Sequence, residues 1–429
     1  MTSDNPELDL EQLPARYVVG IDLGTTNSAV AYVDTEAKSW QVEHFPIPQL
    51  VAPGEVEPRD TLPSFHYQPA EGEFAAEATQ LPWPREDDEP NHIVGVFARD
   101  HGAEVPGRLV ASAKSWLCHT GVDRTAQLLP WHGAVDAERY SPIDISSSFL
   151  AHIRRSWDAA HPEHPLAQQD VVLTLPASFD EIARELTIEA AARAGLTRVV
   201  LIEEPQAAFY AWVYLHAGDW EQHVAAGQRI LVCDIGGGTS DFTLIRVRSE
   251  DGKLHFHRVA VGDHLILGGD NLDLTLAHHL EEQLAGEGKK LAPKQFDVLV
   301  RRCQFVKEQV LGDAAPAKIP VSLPGSGSKL IGGALKTEVD SDDAKGLLLD
   351  GFFPQVALDD KPASRASGFQ EFGLPYATDA AITRHLAAFL SAHKNEGRDA
   401  NDTSHNETSD AVAARPDLVL FNGGLFESR

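Results

Sequence analysis

Two segments of this chain share one pattern: an apolar, strand-like run ends in an aspartate and a turn of glycine and threonine, and a second apolar run follows at once. The first segment covers residues 17–33 and contains Asp22, and the second covers residues 229–247 and contains Asp234. Because no helix-length segment separates the two runs, each unit is predicted to be a β-hairpin with a tight turn. The hairpins lie about half the chain apart. They predict two lobes of related architecture.

The segment between the hairpins alternates strand and helix patterns. In chain order it predicts a strand at 170–176, a helix at 179–194, a strand at 199–202 and a helix at 206–212. This alternation is typical of the α/β class. Further along, apolar residues at helical spacing predict helices at 272–284 and 297–311.

The two lobes are expected to divide the chain near its middle. Their predicted bounds, with the outer subdomain of each in second place, are 1–225 with about 46–139 and 226–429 with about 267–375. Residues 46–90 are rich in proline and acidic side chains, and we interpret them as an irregular peripheral insertion. Residues 391–415 are polar and nearly devoid of large apolar side chains, which predicts a disordered surface loop.

The charge balance limits the class of partner. The 429 residues include 36 Lys and Arg against 64 Asp and Glu, a formal net charge of -28. Such a surface repels nucleic acid and anionic lipid, and no stretch approaches the roughly 20 apolar residues that span a bilayer. We therefore expect a soluble protein that binds neither nucleic acid nor membrane.

Cysteine usage bears on the compartment. Cys118, Cys233 and Cys303 are odd in number and contain no CxxC pair, which fits neither a disulfide framework nor a zinc site. The polar N-terminus, residues 1–16, shows no apolar leader. A cytoplasmic location is the expectation.

The two turns carry the clearest chemistry. Glycine and threonine in a tight turn present backbone N–H groups and hydroxyls at one point, as phosphate oxygens require. One such turn alone is as often an ordinary hairpin, but two that face each other would clamp a polyphosphate. Asp22 and Asp234 stand where their strands end, so both carboxylates would face the shared cleft and could hold Mg²⁺ through water.

Lys114 and Glu204 each admit two interpretations from the residues alone. Lys114 and Lys38 are the only lysines in the first 250 residues, so Lys114, among small and apolar neighbours, is a candidate for a compact functional charge. The plainer interpretation is a surface lysine. Glu204, just before Pro205, could orient or deprotonate a water molecule, or be a solvated carboxylate at a strand end.

Three motifs carry a family resemblance. They are Gly20-Ile21-Asp22-Leu23-Gly24-Thr25-Thr26-Asn27-Ser28, Glu204-Pro205 with Ala207-Ala208, and Asp234-Ile235-Gly236-Gly237-Gly238-Thr239-Ser240-Asp241. In this order they resemble the phosphate and connecting motifs of the DnaK-type 70-kilodalton heat-shock chaperones. The resemblance implies the α/β actin-like ATPase fold that sugar kinases, heat shock protein 70 and actin share. That fold has two lobes, each with a mixed sheet and an outer subdomain, and a nucleotide cleft between them.

The resemblance also implies roles for individual residues. Segment 113–117 resembles the family's lysine motif, so Lys114, Glu204 and Asp234 would position the attacking water. Thr239 would meet the γ-phosphate, and Asp22 and Asp234 would form the metal shell. The residues implied to contact the nucleotide are Gly24, Thr25, Thr26, Asn27, Gly236, Gly237, Gly238, Thr239, Gly268, Gly269, Lys307, Gly423 and Gly424. The implied cofactors are ATP or ADP and Mg²⁺, with K⁺ as a further cation.

Several positions depart from the family pattern. Gln304, Lys307 and Glu308 stand where the family has an acidic residue, a lysine and an arginine around the adenine and ribose, and Leu425 and Glu427 replace a serine and an arginine. Because an anion cannot stack on adenine as a guanidinium does, we expect weak base recognition, with affinity carried mostly by the phosphates.

The function implied by the resemblance is the ATP-binding and ATP-hydrolysing module of a heat-shock-70-like chaperone, in which nucleotide-driven lobe closure controls a peptide-binding domain. The implied partners are that domain in cis, a J-domain co-chaperone and an exchange factor, and the chain is expected to be C-terminally incomplete. Two alternatives stay open. One is a nucleotide-dependent binding module with little turnover, and the other is a sugar kinase of the same fold.

Overall fold

The computed structural model of the protein describes residues 15–85, 91–286, 289–323, 334–363, 374, 376–394 and 415–426. The strands of this part are β1 (Tyr17–Leu23), β2 (Asn27–Asp34), β3 (Glu43–His44), β4 (Ile47–Ala52), β5 (Glu55–Arg59), β6 (Thr61–Pro63), β7 (His66–Tyr67), β8 (Ile93–Val94), β9 (Leu109–Val110), β10 (Asp170–Leu175), β11 (Val199–Glu203), β12 (Arg229–Ile235), β13 (Ser240–Glu250), β14 (Lys253–Val261), β15 (Lys318–Leu323), β16 (Leu335–Asp340) and β17 (Leu418–Asn422).

The helices of the same part alternate with these strands. They are α1 (Val96–Gly102), α2 (Ala113–Leu117), α3 (Pro142–Ala160), α4 (Glu181–Arg193), α5 (Glu204–Leu215), α6 (Trp220–His223), α7 (Gly269–Ala285), α8 (Pro293–Leu311), α9 (Ser341–Phe352) and α10 (Ile382–Ala392). The predicted helices 179–194, 206–212, 272–284 and 297–311 are confirmed as α4, α5, α7 and α8. Helix α5 begins earlier than predicted, at Glu204, because Pro205 is accommodated in its first turn.

The first predicted hairpin lies in a mixed six-stranded sheet, the first sheet. Its strands run in the order β11-β10-β1-β2-β3, and β6 also pairs with β2. Alternate side chains of β1, from Tyr17 to Leu23, are buried, as the period of a strand requires. Strands β10 and β11 run parallel to β1, so the carboxyl ends of all three lie at the same edge. Asp22 and Glu203 stand at this edge.

The second predicted hairpin lies in a four-stranded sheet, the second sheet, with the order β14-β13-β12-β17. Every residue of β12 is buried, which explains its continuous apolar run. Strand β13 is antiparallel to β12, and β17 is parallel to it. The parallel pairing places Asn422, at the end of β17, opposite Asp234. Both hairpins predicted from the glycine and threonine turns are therefore confirmed.

The interpretation of residues 46–90 as irregular is wrong for the described part of that stretch. Strand β4 pairs with β5, β6 joins the first sheet, and β7 pairs with β8 and β9. Pro48 lies opposite Pro58 in the two-stranded β4–β5 sheet. Proline is tolerated on edge strands, where its missing N–H needs no partner, so proline-rich composition did not exclude strands here.

Helices α7 and α8 pack on each other and, with α9, on the β15–β16 pair beyond the second sheet. Their buried apolar side chains, among them Leu272, Leu276, Leu299 and Val306, join the core that also covers one side of the second sheet. Of the loop predicted at 391–415, residues 395–414 lie outside the described residues. No helix in the described part is both long enough and apolar enough to cross a membrane.

Candidate functional site

The two glycine and threonine turns meet face to face between the sheets. The first turn is residues 24–27, between β1 and β2, and the second is residues 236–239, between β12 and β13. A Cβ atom on Gly237 would collide with Oγ1 of Thr26, and one on Gly238 would lie 2.5 Å from Cγ2 of Thr25. Only glycine allows this approach of backbone to the opposite threonines. The expectation that the two turns face each other is therefore confirmed.

Two hydroxyls stand at this junction without a partner. Oγ1 of Thr26 and Oγ of Ser115 are buried and accept or donate no hydrogen bond within the described part of the chain. Ser115 lies on α2, and its Oγ is 3.2 Å from the Cβ position of Gly238. Buried polar groups are normally hydrogen-bonded, so an unpartnered pair beside two glycine turns fits a ligand rich in acceptor oxygens.

Asp22 and Glu204 come together because β1, β10 and β11 are parallel. Asp22 ends β1, and Glu204 follows the last residue of β11. Thr174 of β10, between them, donates its hydroxyl to Oδ1 of Asp22 at 2.6 Å. Side chains at the carboxyl ends of parallel strands share one edge of the sheet, where open α/β sheets bind their ligands.

Lys114 forms a buried ion pair with Glu204, in which Nζ donates to Oε1. Burial opposes the charged form of Lys114, but the charges of Glu204 and Asp22 outweigh it and raise its pKa. Burial also raises the pKa of Glu204, to about 8, with Asp22 and Asp234 adding to the effect and Lys114 opposing it. A carboxyl group poised near neutral pH suits proton transfer. The surface interpretation of Lys114 is wrong, because its side chain is only 9% exposed.

Asp234 is the acidic group contributed by the second sheet. Its carboxylate is 8% exposed and accepts a hydrogen bond from Nδ2 of Asn422 at 2.9 Å. Burial raises the pKa of Asp234 to about 6, and the charges of Asp241 and Asp22 add to this effect. The site thus gathers carboxylates from both sheets around one lysine.

A third segment packs on the second turn. The backbone N–H of Gly269 donates to the carbonyl of Gly236 at 3.0 Å, and that of Asp270 donates to Gly237 at 2.7 Å. Lys307 of α8 reaches this segment, with Nζ donating to the Gly269 carbonyl at 3.0 Å and to Asp273. Helix α8 therefore lies beside the Gly268–Gly269 segment, as expected, although the Lys307 ammonium is already engaged by protein groups.

The remaining predicted residues have varied surroundings. Gly423 packs on the carbonyl of Ile235 with φ of +94°, a conformation that favours glycine. Nothing lies within 4 Å of the Cβ position of Gly424. The carbonyl of Thr239 closes the second turn by accepting from the N–H of Gly236 at 2.9 Å. Glu308 is exposed, as is Asn27 in the first turn, and Gln304 is half-buried. Glu427 lies outside the described residues.

Contacts above the turns join the two halves of the molecule. The Arg301 guanidinium lies over the Phe65 ring, 4.8 Å from its centroid, and Ser112 donates to Oδ2 of Asp270 at 3.3 Å. A cleft of about 790 Å³ opens beside these contacts. Trp116, on the same helix as Lys114, and Trp131 line this cleft, with ring centroids 4.9 Å apart.

Four contributors escaped the sequence analysis. Thr174, Ser115 and Asn422 act through partners distant in sequence, and Asp270 contacts the second turn only through the fold. Asn422 had a visible signal, because it directly precedes Gly423-Gly424. The described residues contain no cluster of three or more His, Cys, Asp or Glu that could hold a metal ion. A cation held by Asp22 and Asp234 would therefore need water or phosphate oxygens to complete its shell.

Comparisons with known proteins agree with this geometry. The family model of the Hsp70 protein matches residues 85–323. The chaperone protein HscA of Salmonella agona (strain SL483) is 32% identical over 327 residues, which cover 74% of this chain and 44% of that protein. The HscA proteins of Salmonella paratyphi C (strain RKS4594) and Salmonella newport (strain SL254) match with the same identity and coverage. The matched region is thus less than half the length of these curated relatives.

Proposed function

This chain belongs to the Hsp70 protein family, and from that premise we propose that it binds ATP and hydrolyses it as the nucleotide-responsive module of a molecular chaperone. Its fold is the actin-like ATPase fold of that family. The observation that carries the proposal is the meeting of the two glycine and threonine turns at Gly237 and Thr26, with the Lys114–Glu204 pair nearby. Family membership favours this function over a sugar kinase.

The polyphosphate is proposed to bind where the two turns meet. The unpartnered hydroxyls of Thr26 and Ser115 would donate to phosphate oxygens, together with backbone N–H groups of both turns. Such fixed donors cost no reorganisation when charge develops in the transition state. Thr239 would stand at the γ-phosphate. The turns touch in this structure, so they must separate to admit the phosphates.

Asp22 and Asp234 are the proposed metal residues. Their carboxylates are hard oxygen ligands of the kind Mg²⁺ prefers, and the raised pKa of Asp234 records an excess of negative charge that a cation would relieve. Bound Mg²⁺ would supply neutralisation of phosphate charge. K⁺ is a second proposed cation.

Lys114 and Glu204 are the proposed groups that act on water. Lys114 would hold the attacking oxygen by its ammonium, and Glu204, with a pKa of about 8, would accept a proton from it. Both side chains are held rigidly, one on α2 and one in the first turn of α5. Rigid placement of this kind is how a site lowers the entropic part of a barrier.

The nucleoside is proposed to lie between the Gly268–Gly269 segment, Lys307 of α8 and the Gly423–Gly424 turn. Lys307 already links α8 to Gly269, so these elements are neighbours. The exposed Glu308 offers the base no cation. We therefore keep the proposal that phosphates carry most of the affinity.

The wider chaperone cycle is also part of the proposal. Because the matched relatives are more than twice as long as the matched region, a peptide-binding domain in cis, a J-domain co-chaperone and an exchange factor are proposed partners. The cytoplasm is the proposed compartment, since Cys118, Cys233 and Cys303 are free thiols, which persist in reducing surroundings.

Phosphate release from ATP at saturating Mg²⁺, together with calorimetric titration of ADP, tests the proposal. We expect binding and a slow, Mg²⁺-dependent turnover. Binding without turnover would identify a nucleotide-dependent binding module instead. Absence of both would contradict the site itself.

A further inference from the structure

A second polar cluster lies between the sheets, outside the two turns. It contains Ser178, between β10 and α4, Asp241 of β13, His264, between β14 and α7, and Cys118, directly after α2. Two of its members belong to the first half of the chain and two to the second. None of the four has a role in the proposed nucleotide chemistry.

The four side chains are closely connected. Ser178 donates its hydroxyl to Oδ1 of Asp241. Nδ1 of His264 lies 2.6 Å from Oγ of Ser178 and 3.4 Å from Oδ1 of Asp241. Nε2 of His264 is buried and has no nitrogen or oxygen partner among the described residues. The Cys118 thiol interacts with the same ring, and Phe179 packs against both residues.

The environment favours a charged imidazole. Burial lowers the pKa of His264, but hydrogen bonds to Asp241 and Cys118 and their charges outweigh burial and raise it to about 10. The Asp241 side chain is only 4% exposed, so solvent screens this interaction weakly. A histidinium beside a cysteine sulfur favours the thiolate, which is the nucleophilic form.

The other two cysteines provide a contrast. Cys233 is 2% exposed and Cys303 is fully buried, and burial raises the pKa of both thiols, that of Cys233 to about 12. Cys118 is partly exposed. Thiol oxidation follows thiolate character and access, so the three cysteines of this chain differ in both respects.

We propose that Cys118 is a peroxide-reactive modification site, activated by His264 and Asp241. The Cys118 thiolate attacks one oxygen of hydrogen peroxide, so that an S–O bond forms while the O–O bond breaks. The leaving hydroxide takes a proton from the His264 imidazolium, which gives water, a neutral imidazole and Cys118 sulfenic acid. The sulfur loses two electrons and the peroxide gains them. This proposal does not rest on the nucleotide chemistry.

The test is the rate of sulfenic acid formation at each cysteine of the whole chain. The protein is treated with limiting hydrogen peroxide in the presence of dimedone, and the labelled peptides are quantified by mass spectrometry. An ordinary thiol is only a few per cent ionised at pH 7, so we expect Cys118 to be labelled roughly fivefold to tenfold faster than Cys233 and Cys303. Equal rates at the three cysteines would overturn the proposal.

His264→Gln tests the activation, with His279→Gln, a change at an exposed histidine, as its matched control. We expect the first variant to slow Cys118 labelling several-fold and the second to leave it unchanged. A further measurement does not depend on the folding of the variant: the wild-type rate is compared with that in guanidinium. Activation requires Cys118 to react faster in the folded protein than in the unfolded chain. A slower folded rate, or no effect of His264→Gln in a folded variant, contradicts it.

Discussion

Lys114 and Glu204 form a buried ion pair that joins α2 to the first turn of α5. The two residues are 90 positions apart in the chain, and the pair stands at the edge where three parallel strands end. Asp22 and Asp234 both act electrostatically on it. Changing any of these four groups therefore alters the ionisation of the others.

Lys114→Ala is expected to bind ATP but hydrolyse it poorly. The ammonium would act mainly on the transition state, and loss of one preorganised group of this kind commonly costs about 10²- to 10³-fold in rate. Glu204 can take up a proton, since its pKa is already about 8, so the variant should fold. Single-turnover phosphate release is the measurement. Lys38→Ala, at an exposed lysine, is the control and should retain the wild-type rate.

Asp22→Asn and Asp234→Asn are each expected to impair Mg²⁺-dependent turnover, because each removes one carboxylate from the proposed metal shell. The apparent Mg²⁺ requirement should rise in both variants, as measured by turnover against Mg²⁺ concentration at fixed ATP. If either variant kept the wild-type rate and Mg²⁺ dependence, a metal shared between the two sheets would be ruled out.

Asp234→Asn is expected to stabilise the nucleotide-free protein while it impairs turnover. The unfolded carboxyl ionises near pH 4 and the folded one near pH 6, so the folded state holds more protons between these values and loses stability as the pH rises. The gain from asparagine should thus grow from about pH 4 to pH 6 and stay constant above, at roughly 1 to 3 kcal/mol. Urea unfolding at pH 5.5 and pH 8 measures it. A destabilised variant at pH 8 would contradict this assignment.

Gly237→Ala is expected to weaken ATP binding without unfolding the chain. The added methyl group would collide with Oγ1 of Thr26 and force the two turns apart. Calorimetry with ATP and thermal unfolding are the two measurements. Gly346→Ala is the matched control, because its Cβ would point into open space on helix α9 and should stabilise that helix by roughly 1 kcal/mol. Unchanged ATP affinity in Gly237→Ala would remove the second turn from the site.

Glu308→Arg is expected to tighten ADP more than inorganic polyphosphate. A guanidinium stacked on an aromatic ring is worth about 0.5 to 2 kcal/mol, and Lys307 anchors this part of α8 beside Gly269. Calorimetry with both ligands separates base contacts from phosphate contacts. Equal shifts for the two, or none for ADP, would show that Glu308 does not face the base.

The sequence was most informative where the chemistry is local. Each hairpin is complete within about 20 consecutive residues, so strand, turn and strand could be predicted from the residue types. The strands at residues 47–67 could not, because their pairing joins segments such as β7 and β9 that are distant in sequence. Proline content was a poor guide to them, since it excludes central strands but not edge strands.

The candidate site divides in the same way. Asp22, Asp234 and the glycines lie in motifs and were predicted. Lys114 was ambiguous from its own surroundings, because its partner Glu204 is brought to it only by the parallel arrangement of β1, β10 and β11. Thr174 and Asn422 likewise touch the carboxylates through sheet register. Contacts set by register between distant strands leave little trace in one sequence.

The stacked pair of Trp116 and Trp131 gives the protein an intrinsic fluorescent reporter. Trp116 is buried on the five-residue helix that carries Lys114, whereas Trp131 is 38% exposed on the wall of the cleft. A displacement of α2 must change the separation of the two indoles and hence their mutual quenching. The arrival of a ligand between the turns can therefore be followed by tryptophan emission in real time, without any attached dye.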